Sequence, residues 1–400
     1  MKMSLLKKTN IPQILFSLLV LSSCGQDKKI KNDTIAEVED TLPKMKPLGP
    51  EAKVSQAYIN SVTGRINHFY VKNWPNNTMN GSFLVAKNGQ IIFERYNGFA
   101  NKNEGTKITA ETPVQIASVS KVLTATAVLK LVNAGKIDLD QKVNTILKTF
   151  PYEDCTIRML LSHRSGMRNY AYFTDHDKAV WDRHNQLTNK DILEILATKD
   201  VGLEAKTGTR FSYCNTNYAM LALIIEKITG LKYKEAMSEM IFKPLGMTHT
   251  YVFDDDKDRK KIVPSYKGSG VEIGFDYLDN VYGDKNVFST VRDHLKFDRA
   301  RNAPGFLKPE LLKQVYTGYS NERKGTKNYG LGIRMINWDS GQNYYFHNGW
   351  WHGNTSSYIP LQKENVTIIA LSNKMTTKTY AVRKLAPIFG DYPFKFKDEE

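Results

Sequence analysis

Strand-forming segments crowd the two ends of this chain and leave a long helical middle, and that distribution limits the folds open to it. Phe83 to Ala86 and Ile91 to Phe93 read as strands, with Asn88-Gly89 between them. That dipeptide takes the positive φ angles of a type I′ turn readily, so the pair predicts a hairpin. The next strand signals come late, in Gly330 to Ile336, Tyr344 to Phe346, Ser356 to Ile359 and Val366 to Leu371. Between the two groups helical patterns dominate to about residue 250, among them Ile157 to Leu161 and Tyr218 to Ile228. An amphipathic helix over Glu51 to about Trp74 precedes the hairpin, and another over Thr379 to Ile388 closes the chain. The order predicts an α+β fold: one antiparallel sheet formed from both chain ends, flanked by helices, with an inserted mostly helical region over about 121–280.

The first 23 residues do not belong to that fold. Lys2, Lys7 and Lys8 precede an apolar stretch from Ile11 to Leu21, and Leu21-Ser22-Ser23-Cys24 follows. An 11-residue stretch falls well short of the roughly 20 that a membrane-crossing helix needs, so the pattern reads as a secretory signal rather than a span. Residues 24–50 are polar and poor in aromatic side chains, which predicts a tether, and the catalytic body is expected over 51–400. Without residues 1–23 the chain has three fewer lysines and the same acids, so its net charge falls from +15 to +12. Its lysines are scattered rather than clustered with aromatic residues, and export turns the charge away from nucleic acid and toward anionic envelope material or a simply soluble surface. The remaining cysteines, Cys155 and Cys214, form no metal-type cluster and are open to pairing or to burial as free thiols.

Three short motifs carry the chemistry. Ser118-Val119-Ser120-Lys121 opens a segment to Ala134 whose apolar residues surround a helix on nearly all sides, which predicts a buried helix. Positions i and i+3 share a helix face, so the Lys121 amine can sit beside the Ser118 hydroxyl and promote its deprotonation. Ser4-Leu5-Leu6-Lys7 fits the same pattern, so the spacing needs support. Tyr213-Cys214-Asn215 lies 95 residues after Ser118, just before an apolar helix. Tyr213 would act as a base if neighbouring cations such as Lys121 lowered its pKa, and Asn215 would hold a substrate carbonyl. The third motif is His347-Asn348-Gly349, set among late strands, where the glycine admits close substrate approach and His347 can donate a hydrogen bond. Lys206-Thr207-Gly208 is a literal Lys-Thr-Gly, yet it is expected in a loop five residues before Tyr213 and not on a late strand. His163 and His352 are expected to have structural roles. No metal-binding, phosphate-cradling or Gly-x-Ser-x-Gly pattern is present, and no cofactor is expected.

The ordered trio resembles the class C β-lactamase family of serine hydrolases, which includes penicillin-binding DD-peptidases and related esterases. The connecting segments TPVQIASVSK, LVNAGKIDLDQKV, TIRMLLSHRSGM, FSYCNTNYAMLALIIEKITG, FKPLGMTHT, FSTVRDHLKF and YGLGIR are similar to that family's in the same order, from about Gly81 to Asn373. The resemblance implies acyl transfer, with Ser118 attacking a carbonyl, Lys121 and Tyr213 handling its proton, and the backbone N–H groups of Ser118 and Trp350 forming the oxyanion hole. His347 stands where the β-lactamases of this group carry lysine, and Trp350-Trp351 are bulky where smaller residues are usual, a difference that would narrow or reshape the cleft. The implied substrate is a small molecule or peptide, either a cell-wall peptide, a β-lactam or an ester. A carboxylesterase and a non-catalytic penicillin-binding sensor are the alternatives.

The Leu-Ser-Ser-Cys run resembles a bacterial lipobox, in which Cys24 becomes the lipidated first residue and holds the protein to the membrane of the cell envelope. Cys24→Ala should then move the protein from the membrane fraction to the soluble fraction. Unchanged fractionation, with no lipid mass on the mature N-terminus, would count against the anchor.

Overall fold

A computed structural model describes residues 42–394, apart from 177, 323 and 324. The signal segment, Cys24 and the tether up to residue 41 lie outside the described residues. Among the described residues, no helix is long and apolar enough to cross a membrane.

The hairpin forms where the sequence places it. Strand β1 (Gly81–Lys87) turns through Asn88 and Gly89, at φ 54° and 80°, into β2 (Gln90–Asn97). The late strands are β3 (Lys327–Tyr329), β4 (Arg334–Asn337), β5 (Asn343–Trp351), β6 (Asn354–Leu361) and β7 (Val366–Ser372). Together they make one sheet in the order β3-β4-β5-β6-β7-β1-β2, with every neighbouring pair antiparallel. The N-terminal hairpin therefore docks on the last strand of the chain, with Phe83 opposite Ala370. This is the expected sheet from both ends.

Both faces of the central strands are covered, so their side chains alternate between two cores. Phe83, Val85, Ile368 and Ala370 face one core, which helix α1 (Gln56–Asn73) closes with Val62, Ile66 and Phe69. The final segment, Tyr380–Ile388, adds Val382 and Leu385 to that core. It winds as a 3₁₀-helix rather than the expected α-helix, and Pro387 within it has no N–H for an α-helical hydrogen bond. Leu84, Ala86, Ile369 and Leu371 face the other core, which is shared with α2 (Ser120–Asn133), α3 (Asn215–Thr229) and α4 (Val291–Asn302). Every residue of α2 from Ser120 to Leu131 is buried, in line with its all-round apolar pattern.

Two boundaries differ from the sequence reading. Helix α1 starts at Gln56, capped by the Ser55 side chain, rather than at Glu51. Residues 42–50, read as the end of the tether, instead pack on the body. The Met45 N–H donates to the Met240 carbonyl at 2.7 Å, Arg299 bonds the Gly49 carbonyl at 2.7 Å, and Leu42 and Leu48 lie against the larger core. Isolated apolar side chains in a polar stretch leave no periodic signal, which is why composition concealed them. Cys155 and Cys214 are both buried free thiols, and burial pushes them up to about 12 and about 11, so they are poor nucleophiles at neutral pH.

Helix α4 buries His294 edge-on to Tyr358, with both ring nitrogens unpartnered. Burial first, and the Arg301 charge second, push its pKa down to about 3. Unfolded histidine titrates near 6.5, so below that pH the unfolded chain takes up the proton while the folded one does not. The stability this neutral ring allows is complete above about 6.5 and is lost as pH falls toward 3. By pH 5.5 the penalty should reach about 1 kcal/mol. Urea unfolding at pH 7.5 and 5.5 checks this: His294→Phe should lose less stability than the wild type over that interval by roughly this amount. Equal losses would show that His294 is not the group responsible.

Candidate active site

Ser118 does not sit in α2 itself. It occupies a 3₁₀ turn, Ala117–Val119, just ahead of the helix, and Ala117 is held at φ 47°. An alanine in the left-handed region is sparsely populated, and the neighbours that impose it are identifiable. The Ile116 N–H donates to the Val287 carbonyl at 2.9 Å, the Ser356 hydroxyl donates to the Ile116 carbonyl at 2.6 Å, and the Val287 N–H donates to Ser120 Oγ at 3.1 Å. The turn is thus pinned between the sheet and a small strand pair, Val114–Gln115 with Val287–Ser289. Ser118 is left half-buried.

Lys121 follows one turn later and is fully buried. Its ammonium donates to Ser118 Oγ at 3.1 Å and to the Asp284 carbonyl at 2.9 Å. It also lies 5.2 Å from the Tyr213 ring centroid and 5.6 Å from that of Tyr218. Among the described residues it makes no ion pair.

Tyr213 reaches the same place from the loop before α3, which His163 shapes. The Ser212 N–H donates to the His163 carbonyl at 2.9 Å, and the Cys214 N–H and the Asn217 amide meet His163 Nδ1 at 3.1 and 3.0 Å. The His163 ring lies against Tyr213, centroids 4.4 Å apart and tilted by 38°. Its pKa lies well below the ordinary value, through burial first and then the charges of Lys121 and Arg334. The structural reading of His163 therefore has a specific form: it builds the turn that presents Tyr213. Asn215 opens α3, and its Oδ1 is buried without a hydrogen-bond partner.

Strand β5 brings the third motif. Its pairing with β4 ends at Phe346 opposite Arg334, while His347 to Trp351 stay paired to β6, so the other edge of this stretch is left to the Ser118 turn. A Cβ on Gly349 would come within 2.9 Å of Ser118 N and would also meet the Ile116 carbonyl and the Ser356 hydroxyl, so only glycine fits there. Trp350 follows, and its indole is 59% exposed, so it stands out in solvent rather than filling the cleft.

His347 differs from the sequence expectation of a substrate-facing side chain. It is fully buried, with Nδ1 donating to the Asn348 carbonyl at 2.9 Å and Nε2 facing the Tyr329 hydroxyl at 3.1 Å. Burial, then Arg334 and Lys121, hold its pKa well below the ordinary value, so the ring is neutral. The cation nearest the cleft side of Tyr213 is Arg334, whose guanidinium lies 4.5 Å from the Tyr213 ring centroid. Arg334 makes no ion pair among the described residues. Tyr329 and Arg334 are the first and last residues of the YGLGIR segment, whose resemblance was the available signal for them. Lys206-Thr207-Gly208 lies in a turn packed on the 164–166 segment, with Thr207 donating to the Ser165 carbonyl at 3.0 Å, and not on the sheet edge.

A family model described as Beta-lactamase matches residues 77–388. The chain belongs to the beta-lactamase family. Penicillin-binding protein 4* of Bacillus subtilis is 29% identical over 317 residues, which cover 75% of this chain and 69% of that protein. The putative penicillin-binding protein PbpX of the same organism is 25% identical, covering 80% of each. Among solved structures, a penicillin binding protein from Bacillus halodurans aligns with a TM-score of 0.69 at 24% identity, covering 80% of this chain and 98% of that one. EstCE1, a hydrolase with promiscuous acyltransferase activity, aligns with a TM-score of 0.66 at 18% identity, covering 84% of this chain and 100% of that one. At those identities the structural matches speak to the fold. Membership of the beta-lactamase family is consistent with a serine hydrolase.

Gly349→Ala tests how closely β5 must approach Ser118. The added methyl can be accommodated only by moving β5 away from the turn, and a misplacement near 1 Å can cost about 10²-fold. Acylation of Ser118 by a fluorophosphonate probe should slow by roughly that factor while the fold persists by circular dichroism. An unchanged acylation rate would mean that the approach does not matter.

Proposed function

We propose that the protein is an envelope-located, lipid-anchored serine hydrolase that cleaves an amide beside a carboxylate, with a D-amino-acid peptide of the cell wall as the leading substrate class. The observation that carries this reading is the 3.1 Å hydrogen bond between Lys121 and Ser118, made by a buried ammonium with no carboxylate partner. In this mechanism Ser118 Oγ attacks the substrate carbonyl carbon. Its proton passes to Tyr213, acting as the base with the Lys121 ammonium beside it, and on to the leaving amine as the C–N bond breaks. Water then releases the acyl group by the same proton route in reverse. The N–H groups of Ser118 and Trp350 donate to the developing oxyanion, a contribution of the kind that is commonly worth 10²-fold or more. Asn215 orients the substrate amide, and Gly349 admits it close to Ser118. The unpaired Arg334 beside Tyr213 supplies the charge for a substrate carboxylate, which neutral His347 does not.

A carboxylesterase is the second reading, and neutral His347 favours it because the third motif then presents no cation to an uncharged substrate. A panel of D-Ala-D-Ala peptides, their C-terminal amides, β-lactams and short esters separates the two. Ser118→Ala should abolish turnover by about 10³-fold or more. Arg334→Gln should raise KM for free-carboxylate peptides about 10-fold, the loss of one charge-assisted hydrogen bond, and leave ester KM unchanged. Because His347 stays neutral, KM for anionic substrates should remain flat as pH passes 6.5. An Arg334→Gln variant equally active on every substrate would favour the esterase, and a stable acyl adduct without product release would favour a non-catalytic sensor.

A further inference from the structure

The β5–β6 connection is a two-residue turn, His352-Gly353, with His352 at φ 49°. A hairpin end that carries a reacting group needs an anchor, and here the anchor is a buried acid from a distant loop. Asp279 is 4% exposed. It accepts from Trp351 Nε1 at 2.7 Å and from His352 Nε2 at 3.0 Å through Oδ1, and Oδ2 lies 3.1 Å from the same histidine nitrogen. Asp279 is itself held, because the Asp276 N–H donates to its Oδ2 and the Asn286 amide donates to its carbonyl. The Lys285 ammonium lies 4.7 Å from the Trp351 ring centroid and packs that indole from the same side of the loop.

Trp351 and His352 directly follow Trp350, whose N–H is the second oxyanion donor in the proposed mechanism. We propose that Asp279 is a positioning residue for acyl transfer: by accepting from Trp351 and His352 together it fixes the end of β5 and so the place of the Trp350 N–H. This rests on the acyl-enzyme reading above. Asp276, Asp279 and His352 could also offer ligand atoms to a metal ion, since those atoms lie within 4.8 Å of one another. Both oxygens of Asp279 already accept hydrogen bonds, so the observed contacts favour the clamp.

The clamp also responds to pH. Burial opposes a charge on His352, but the Asp279 hydrogen bond and charge, with Asp276 beyond, carry its pKa above the ordinary value against Lys285. Arg259, Lys260 and Glu272 line the same small cavity as His352. Below its pKa His352 is the cationic half of an ion pair, and above it only a neutral donor remains.

The test compares the full-length wild type with Asp279→Asn, Asp279→Glu and His352→Gln, measuring kcat and KM from pH 6 to 9. Asp279→Asn should lower kcat by about 10-fold with KM within about twofold, as expected for a donor displaced by a fraction of an ångström. The wild-type kcat should fall as pH rises through the His352 pKa, and that limb should vanish in Asp279→Asn and His352→Gln. Asp279→Glu should recover part of kcat. A folded Asp279→Asn with wild-type kcat, or one that keeps the wild-type pH limb, overturns the proposal. If Asp279→Asn does not fold, Trp351→Phe keeps the ring over Lys285 and removes one hydrogen bond; its kcat must drop at constant KM, and an unchanged kcat overturns the proposal. Fluorophosphonate labelling of wild-type Ser118 separates the two levels, since absent labelling refutes the acyl-enzyme reading and this inference with it, whereas normal labelling with unaltered Asp279→Asn kinetics refutes this inference alone.

Discussion

A buried ammonium without a carboxylate is costly to hold, and the Lys121 charge organises everything around it. The protein compensates it with a hydroxyl, a backbone carbonyl and two aromatic faces: Ser118, Asp284, Tyr213 and Tyr218. The Lys121 charge disfavours a further charge on the two nearby histidines. Burial and the charges of Lys121 and Arg334 keep His163 and His347 neutral. Neutral His163 accepts from the Cys214 N–H through Nδ1 and so holds the Tyr213 loop, while neutral His347 links Asn348 to Tyr329 through its two nitrogens.

The fold bears the cost of that arrangement through long-range pairing. Ser118 and Gly349 are 231 residues apart in sequence, yet their backbones touch. What brings them together is the β5–β6–β7–β1 run of the sheet, in which the C-terminal strands pair in sequence and the N-terminal hairpin docks on the last of them. Helix α2 is buried from Ser120 to Leu131 and packs on α3, with Lys121 enclosed at its start. The strained Ala117 is tolerable because three hydrogen bonds from the sheet and the small strand pair fix the residues on either side of it.

Much of this was legible in the sequence because it is encoded in periodicity and turn chemistry. Asn88-Gly89 specified the hairpin, the all-round apolar pattern specified the buried α2, and the late strands were visible as short apolar runs. The positions of Ser118, Lys121 and Tyr213 around one point also followed from motif order. What was hidden is what depends on tertiary surroundings. A histidine is written the same way whether it faces a cleft or a core, so the burial of His347 had no local signature. Nor did the packing of Met45, a single apolar residue in a polar stretch. Asp279 was invisible for the same reason, since its partners Trp351 and His352 are about 70 residues away.

The departure at the third motif follows from the same charge argument. Position 347 is fully enclosed here, with Lys121 and Arg334 both near enough to depress its pKa. A lysine in that enclosure would be a third cation with no acid to pair with, and it would have to shed its proton or leave its pocket. A neutral histidine avoids this, and it leaves a cation one strand away: Arg334 sits opposite Phe346 in the β4–β5 pairing, next to His347, with its guanidinium over the Tyr213 ring. Charge at the mouth and neutrality beneath it are thus complementary consequences of one buried ammonium. A lysine exchanged for His347 would start from that same enclosure, where the native side chain meets Tyr329 and Asn348.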